Sequence, residues 1–181
     1  LIRDAALDII ENHSGANPLF LNINFGAPHT PNEAPQQSID KFTFIKDPNR
    51  QIHAAMVYEM DNAIGNIIDA LEKENLLENT IIFFASDNGG LIPDFEVEPS
   101  FLALPKNLGI CDWERPLSVK VVEWICSSFD GASSNAPLRE GKMAVGEGGI
   151  RVTAAIWWPN HLETKRNTNF ISMMDILPPL L

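Results

Sequence analysis

The order of three segments constrains this chain most. Residues 19–25 (LFLNINF) are rich in strand formers and alternate in their second half, until Pro28 and Pro31 forbid continued pairing. Within residues 51–77, Ile52, Ala55, Met56, Met60, Ala63, Ile64, Ile67, Ile68 and Leu71 fall on one helical stripe, with Glu59, Asp69, Glu72 and Lys73 largely off it. Residues 80–86 (TIIFFAS) are an apolar, β-rich run of the kind buried on both faces of a sheet, and Asp87-Asn88-Gly89-Gly90 closes it. Strand, helix, strand with crossovers of this length suits parallel pairing, so the expected fold is an α/β sheet covered by helices.

The flanks fit that frame. Ile2, Ala5, Ala6, Ile9 and Ile10 repeat at helical spacing before residues 15–18 break the pattern. Residues 31–50 read as an irregular surface excursion, 152–158 (VTAAIWW) as a strand closed by Pro159, and 171–177 as the start of a helix cut off near Pro178. Residues 91–134 show no period and mix Pro93, Pro99, Pro105 and Pro116 with apolar patches.

Composition matters for the partners. With 181 residues, 45% of them hydrophobic, the chain can bury the core of one domain. Its formal net charge of -11, unrelieved by any basic run, excludes nucleic acid and anionic membrane surfaces as partners. An acidic chain that handles an anionic substrate must concentrate positive charge locally. Cys111 and Cys126 have no zinc-site spacing and leave a single bridge open. No apolar run approaches the roughly 20 residues that span a bilayer. The N-terminus lacks signal-peptide order, and a start at Leu1 fits a fragment or processed piece. Asn12-His13-Ser14 is a glycosylation sequon.

In open α/β sheets ligands bind beyond the carboxyl ends of strands, which singles out His29 after the first run and Asp87 and Asn88 after the second. Asp and Asn present hard oxygens suited to Ca²⁺ or Mg²⁺, although the same four residues also make a plain turn. Residues 137–142 (PLREGK) and 146–151 (GEGGIR) are glycine-rich and basic, as where a backbone closes around an oxyanion.

The blocks PLFLNINFGAPHTP, AAMVYEMDNAIGNIIDALEKENLLENTIIFFASDNGG, NAPLREGKMAVGEGGIRV and ISMMDILPPLL, in this order, resemble the sulfatase family and within it the arylsulfatase B branch. The resemblance covers the chain except its middle. It implies an alkaline-phosphatase-like α/β sandwich with a mostly parallel or mixed central sheet flanked by helices, of which residues 1–181 are a partial catalytic domain. It implies that Asp87 and Asn88 are oxygen ligands to Ca²⁺, that His29 and Lys142 approach the sulfate group, and that the substrate is a sulfate ester, at family level a sulfated glycan. Lysosomal or secreted destinations follow from it as well. It gives Arg139 and Arg151 no firm role, so salt bridging or surface placement is the expectation for them.

Two departures qualify the resemblance. The family nucleophile is a formylglycine made from Cys in a Cys-x-Pro-Ser-Arg pattern, which is absent here, as is the pair of adjacent aspartates that completes the metal site. The chain alone is therefore expected to be inactive. Residues 91–134 exceed the family's short loop and are either an insertion that rims the site or a sequence artefact. Two other readings stand beside the hydrolase: a sulfated-sugar-binding pseudoenzyme, and a phosphatase or phosphodiesterase of the same superfamily. The latter is disfavoured because His13, His29, His53 and His161 form no ligand pair.

Overall fold

The computed structural model describes residues 1–92 and 131–176; expectations placed on residues 93–130, including both cysteines, and on 177–181 lie outside the described residues. In chain order the elements are α1 (Ile2–Glu11), α2 (Gln36–Ile39), α3 (Pro48–Lys73), β1 (Ile82–Ala85), α4 (Glu147–Ile150) and β2 (Ala154–Trp157).

The core lies between α1 and α3. Ala6 and Ile10, four residues apart and so on one face of α1, pack with Ile67, Ala70 and Leu71 of α3. Ile10 is 1% exposed, and burying a side chain of its size contributes about 2 kcal/mol. The sequence placed α3 at 51–77; it starts earlier, because Asp47 caps it by accepting from Arg50 N at 2.7 Å and Pro48 follows at the first helical position. It ends where Asn75 takes φ 58° and turns the chain back, with Leu76 and Leu77 packed on the core.

Residues 19–25 differ from expectation. Leu21, Ile23 and Phe25 do face the core and Asn22 and Asn24 do face out, so the period of two holds. The segment is extended but joins no ladder among the described residues. The described sheet is instead β1 with β2, antiparallel, in the register Ile82↔Trp157 to Ala85↔Ala154, prolonged by Ser86 N donating to Thr153 O at 3.1 Å. The parallel partner anticipated for β1 is thus not in the described ladder. Nor is β1 covered on both faces: Ile82 packs on the helical core, whereas Phe83 and Phe84 are each 37% exposed.

Residues 31–50 are more ordered than their prolines imply. Pro35 caps α2, a 3₁₀ turn covers Asp40–Phe42, and Ser38, 2% exposed, donates its hydroxyl to the Glu59 carboxylate on α3. Gln51 Nε2, also on α3, donates to Ile39 O at 3.0 Å, so two bonds dock this one-turn helix. At the C-terminal end the expected helix start is a 3₁₀ turn, Met173–Asp175. Among the described residues no helix is long and apolar enough to cross a membrane.

Candidate functional site

β1 delivers its chain into the Asp87-Asn88-Gly89-Gly90 turn, which is packed against the loop over residues 133–149. Gly89 N donates to Gly149 O at 2.8 Å, and a Cβ on Gly89 would lie 1.7 Å from Gly148 O, so no side chain fits there. One residue on, Gly90 O accepts from Lys142 N at 3.0 Å. Gly141 sits beneath this contact, where a Cβ would meet Gly90 O at 2.6 Å. Two backbones this close require glycine for space rather than for an unusual φ.

This packing brings Asp87, Asn88 and Lys142 to one end of the sheet. Asp87 is exposed and its Oδ1 accepts from Asn88 N at 2.9 Å. Asn88 is half-buried; its Nδ2 donates to Gly89 O at 2.8 Å, which turns the amide so that Oδ1 is the atom left for a ligand. Ser86 Oγ closes the turn on Asn88 O at 2.9 Å. Lys142 is half-buried and, like the other described lysines and arginines apart from Arg3, Lys73 and Arg151, has no carboxylate within ion-pair distance among the described residues.

The donors are of the right kind for a calcium ion but too few. One carboxylate and one amide oxygen stand against the about six to eight oxygens Ca²⁺ takes, and no group of three or more His, Cys, Asp or Glu among the described residues could hold a metal. These residues do not complete a calcium shell among the described residues.

His29 is exposed in a separate turn: its N donates to Gly26 O at 2.9 Å and its Nδ1 lies 2.5 Å from Thr30 O. That contact requires a proton on Nδ1 and leaves Nε2 as the open atom. No hydrogen bond among the described residues joins His29 to Asp87, Asn88 or Lys142. Arg151 pairs with Glu147 at 3.1 Å on the surface, and Arg139 is exposed, its carbonyl accepting from Gly148 N at 2.7 Å.

No sequence pattern singles out Asn135, Glu140, Arg50 or His53 as site residues. An open cleft of about 520 Å³, lined by Arg50, Ile92, Ser133, Asn135, Leu138 and Glu140 among others, lies beside the Lys142 loop. Arg50 Nη1 donates to Ala132 O at 2.7 Å, and His53 Nε2 lies 3.5 Å from Ser133 Oγ. Burial, and then the Arg50 charge, hold His53 below its ordinary pKa, so the imidazole is neutral there at pH 7. His53 lies on the α3 stripe beside Ala55 and Met56, where a lone His gives no signal apart from ordinary packing.

Comparison with known proteins gives a consistent set of likenesses. The Sulfatase family profile matches residues 1–181. The chain is similar to N-acetylgalactosamine-6-sulfatase of Rattus norvegicus, 28% identical over 178 residues, which are 97% of this chain and 26% of that protein. It is similar to arylsulfatase H of Homo sapiens, 32% identical over 182 residues, with 99% and 26% covered. Among solved structures it is similar to Ps i-CgsB in complex with k-i-k-neocarrahexaose, with TM-score 0.65 and 30% identity over 88% of this chain and 28% of that one. The chain thus spans about a quarter of the length of the curated relatives it matches.

Proposed function

The chain belongs to the sulfatase family, and from that premise we propose that it carries part of the active site of a sulfate-ester hydrolase acting on sulfated glycans. Its fold is the alkaline-phosphatase-like α/β arrangement, represented in the described residues by a helix layer and a two-stranded part of the sheet. In this reading Lys142 and His29 contact the sulfate, and Asp87 and Asn88 offer oxygens to a calcium ion whose other ligands lie outside this chain. The ion would supply a fixed positive charge beside the ester. The nucleophile, a formylglycine, would likewise come from outside these 181 residues.

The observation that carries the reading is the close packing of the Asp87–Gly90 segment on the Lys142 loop. It brings the backbone of Lys142, a residue with no carboxylate within ion-pair distance among the described residues, up to the turn that carries Asp87 and Asn88. Sulfate-ester cleavage leaves negative charge on sulfate oxygens, and a positioned ammonium lowers the energy of that charge most where water is scarce. His29 Nε2, with its other nitrogen held by Thr30 O, is the atom open to hydrogen-bond the same group. A glycan is supported by two likenesses: a relative named for N-acetylgalactosamine 6-sulfate, and a solved relative bound to k-i-k-neocarrahexaose. The open cleft beside Asn135 and Glu140 offers room for sugar rings next to the proposed sulfate position. A lysosomal or secreted location belongs to the same proposal and accords with the sequon residue Asn12 being exposed at the end of α1.

The test uses the natural gene product that contains this chain. Asp87→Ala and Lys142→Ala should each lower kcat/KM for a chromogenic aryl sulfate by about 100-fold or more, in line with removal of one charged stabiliser. Unchanged turnover in both would refute the site. A gene product that binds sulfated glycan through Lys142 without turnover would establish the binding-protein reading in its place.

A further inference from the structure

The side chain of Asn135 lies between the two halves of the proposed site. Its Oδ1 accepts from Gly90 N at 3.0 Å, and its Nδ2 donates to Gly90 O at 2.8 Å and to Glu140 O at 3.1 Å. The amide thus pairs both backbone groups of Gly90, as a neighbouring strand would, and with its remaining proton holds the chain two residues before Lys142. Gly90 O receives Lys142 N as well. A second clamp closes the far side of the loop, where Glu140 Oε2 accepts from Gly146 N at 2.7 Å. Between the clamps Glu140 and Met143 take φ 68° and 77°, a left-handed conformation unfavourable for residues with a side chain. That backbone needs outside bonds to persist.

From this geometry we infer that Asn135 is a positioning residue: it fixes the Lys142 loop against the Asp87–Gly90 turn and so sets where the ammonium stands relative to the oxygen donors. The inference rests on the function proposed above. Asn135 touches neither sulfate nor metal in this account; it acts through Gly90 and Lys142. Other hydrogen-bonding side chains do the job less well. A hydroxyl is too short to span both groups of Gly90, and a carboxylate would face two carbonyl oxygens with no proton to offer.

The experiment compares Asn135→Ala and Asn135→Asp in the natural gene product, with Asp87→Ala and Lys142→Ala beside them. Turnover of a chromogenic aryl sulfate and the competitive inhibition constant of inorganic sulfate are both measured. The inhibition constant is informative because a smaller folded fraction lowers apparent kcat but leaves the constant untouched. A displaced Lys142 weakens sulfate binding itself. Both Asn135 variants are expected to lower kcat about 10- to 100-fold and to raise the sulfate constant about tenfold, because the backbone bonds that place Lys142 are lost. Should Asn135→Ala fail to fold, the isosteric Asn135→Asp carries the same readout. An inhibition constant within about threefold of the parent, with Asp87→Ala and Lys142→Ala both disabled, would overturn the positioning role and leave the site standing. Activity retained in the Asp87 and Lys142 variants would instead remove the site on which the inference rests.

Discussion

Single residues decide how closely two backbones meet at the proposed site. Gly89 is buried, and the carbonyl of Gly148 occupies the place its Cβ would take. No rotamer relieves that overlap, because both partners are backbone. Gly89→Ala must therefore push the 146–149 loop off the β1 turn and break the bond from Gly89 N to Gly149 O. The expected cost is about 2–3 kcal/mol, at the upper end of overpacking by one methyl because backbone rather than a side chain has to move. Differential scanning calorimetry of the protein would show it, and an unchanged unfolding temperature would mean that the two loops are not in contact. Gly65, within α3, is the internal control: nothing lies within 4 Å of its Cβ position. Gly65→Ala should be neutral or stabilising by up to about 1 kcal/mol through helix propensity.

At the scale of elements, the apolar face of α3 was legible in the sequence, that of α1 only in part, since Ile2, Ala5 and Ile9 of its expected stripe are exposed, and sheet partners were not. The period of 3.6 in Ala6 and Ile10, and in Ile67 and Leu71, records which face of each helix meets the core, because burial is local to the helix. Ile10→Ala should accordingly cost about 2–4 kcal/mol in urea unfolding, while Ile9→Ala, at 44% exposed, should cost much less. Equal effects would place the core on another face of α1. Strand patterns carry no such address. LFLNINF and TIIFFAS state that they are extended and which side chains share a face, yet pairing depends on what lies beside them in space. Hence residues 19–25 keep their alternation without a ladder among the described residues, and β1 lies antiparallel to β2. The site divides in the same way. Asp87, Asn88 and Lys142 could be named from the resemblance, and their turn and loop are packed together in the structure. His29 stays apart from them in its hydrogen bonds. Asn135 went unremarked because its role consists of bonds to residues 45 and 5 positions away, which no local pattern encodes.

Across the whole molecule, the chain's negative charge must be reconciled with the anionic substrate proposed for it. A formal net charge of -11 repels sulfate at long range, but that repulsion is screened beyond about 8 Å at physiological ionic strength. Local cations then decide, and Lys142, without a carboxylate partner among the described residues, satisfies that requirement only when a divalent ion offsets the Asp87 carboxylate. The chain supplies too little to secure such an ion: one carboxylate and one amide at the turn, and no group of three or more His, Cys, Asp or Glu among the described residues. It also carries no Cys-x-Pro-Ser-Arg pattern from which the family nucleophile is made. Both deficits point the same way. The 181-residue polypeptide, purified alone, should release no product from a chromogenic aryl sulfate above the buffer rate. Titrated with Ca²⁺ in a calorimeter, it should bind no more tightly than about 1 mM, the weak end of protein calcium sites. Asp87→Asn should leave that weak heat nearly unchanged, since one ligand of an unfilled shell contributes little. Robust turnover, or micromolar calcium binding abolished by Asp87→Asn, would show that the chain holds a complete site of its own and that the division of labour proposed here is wrong.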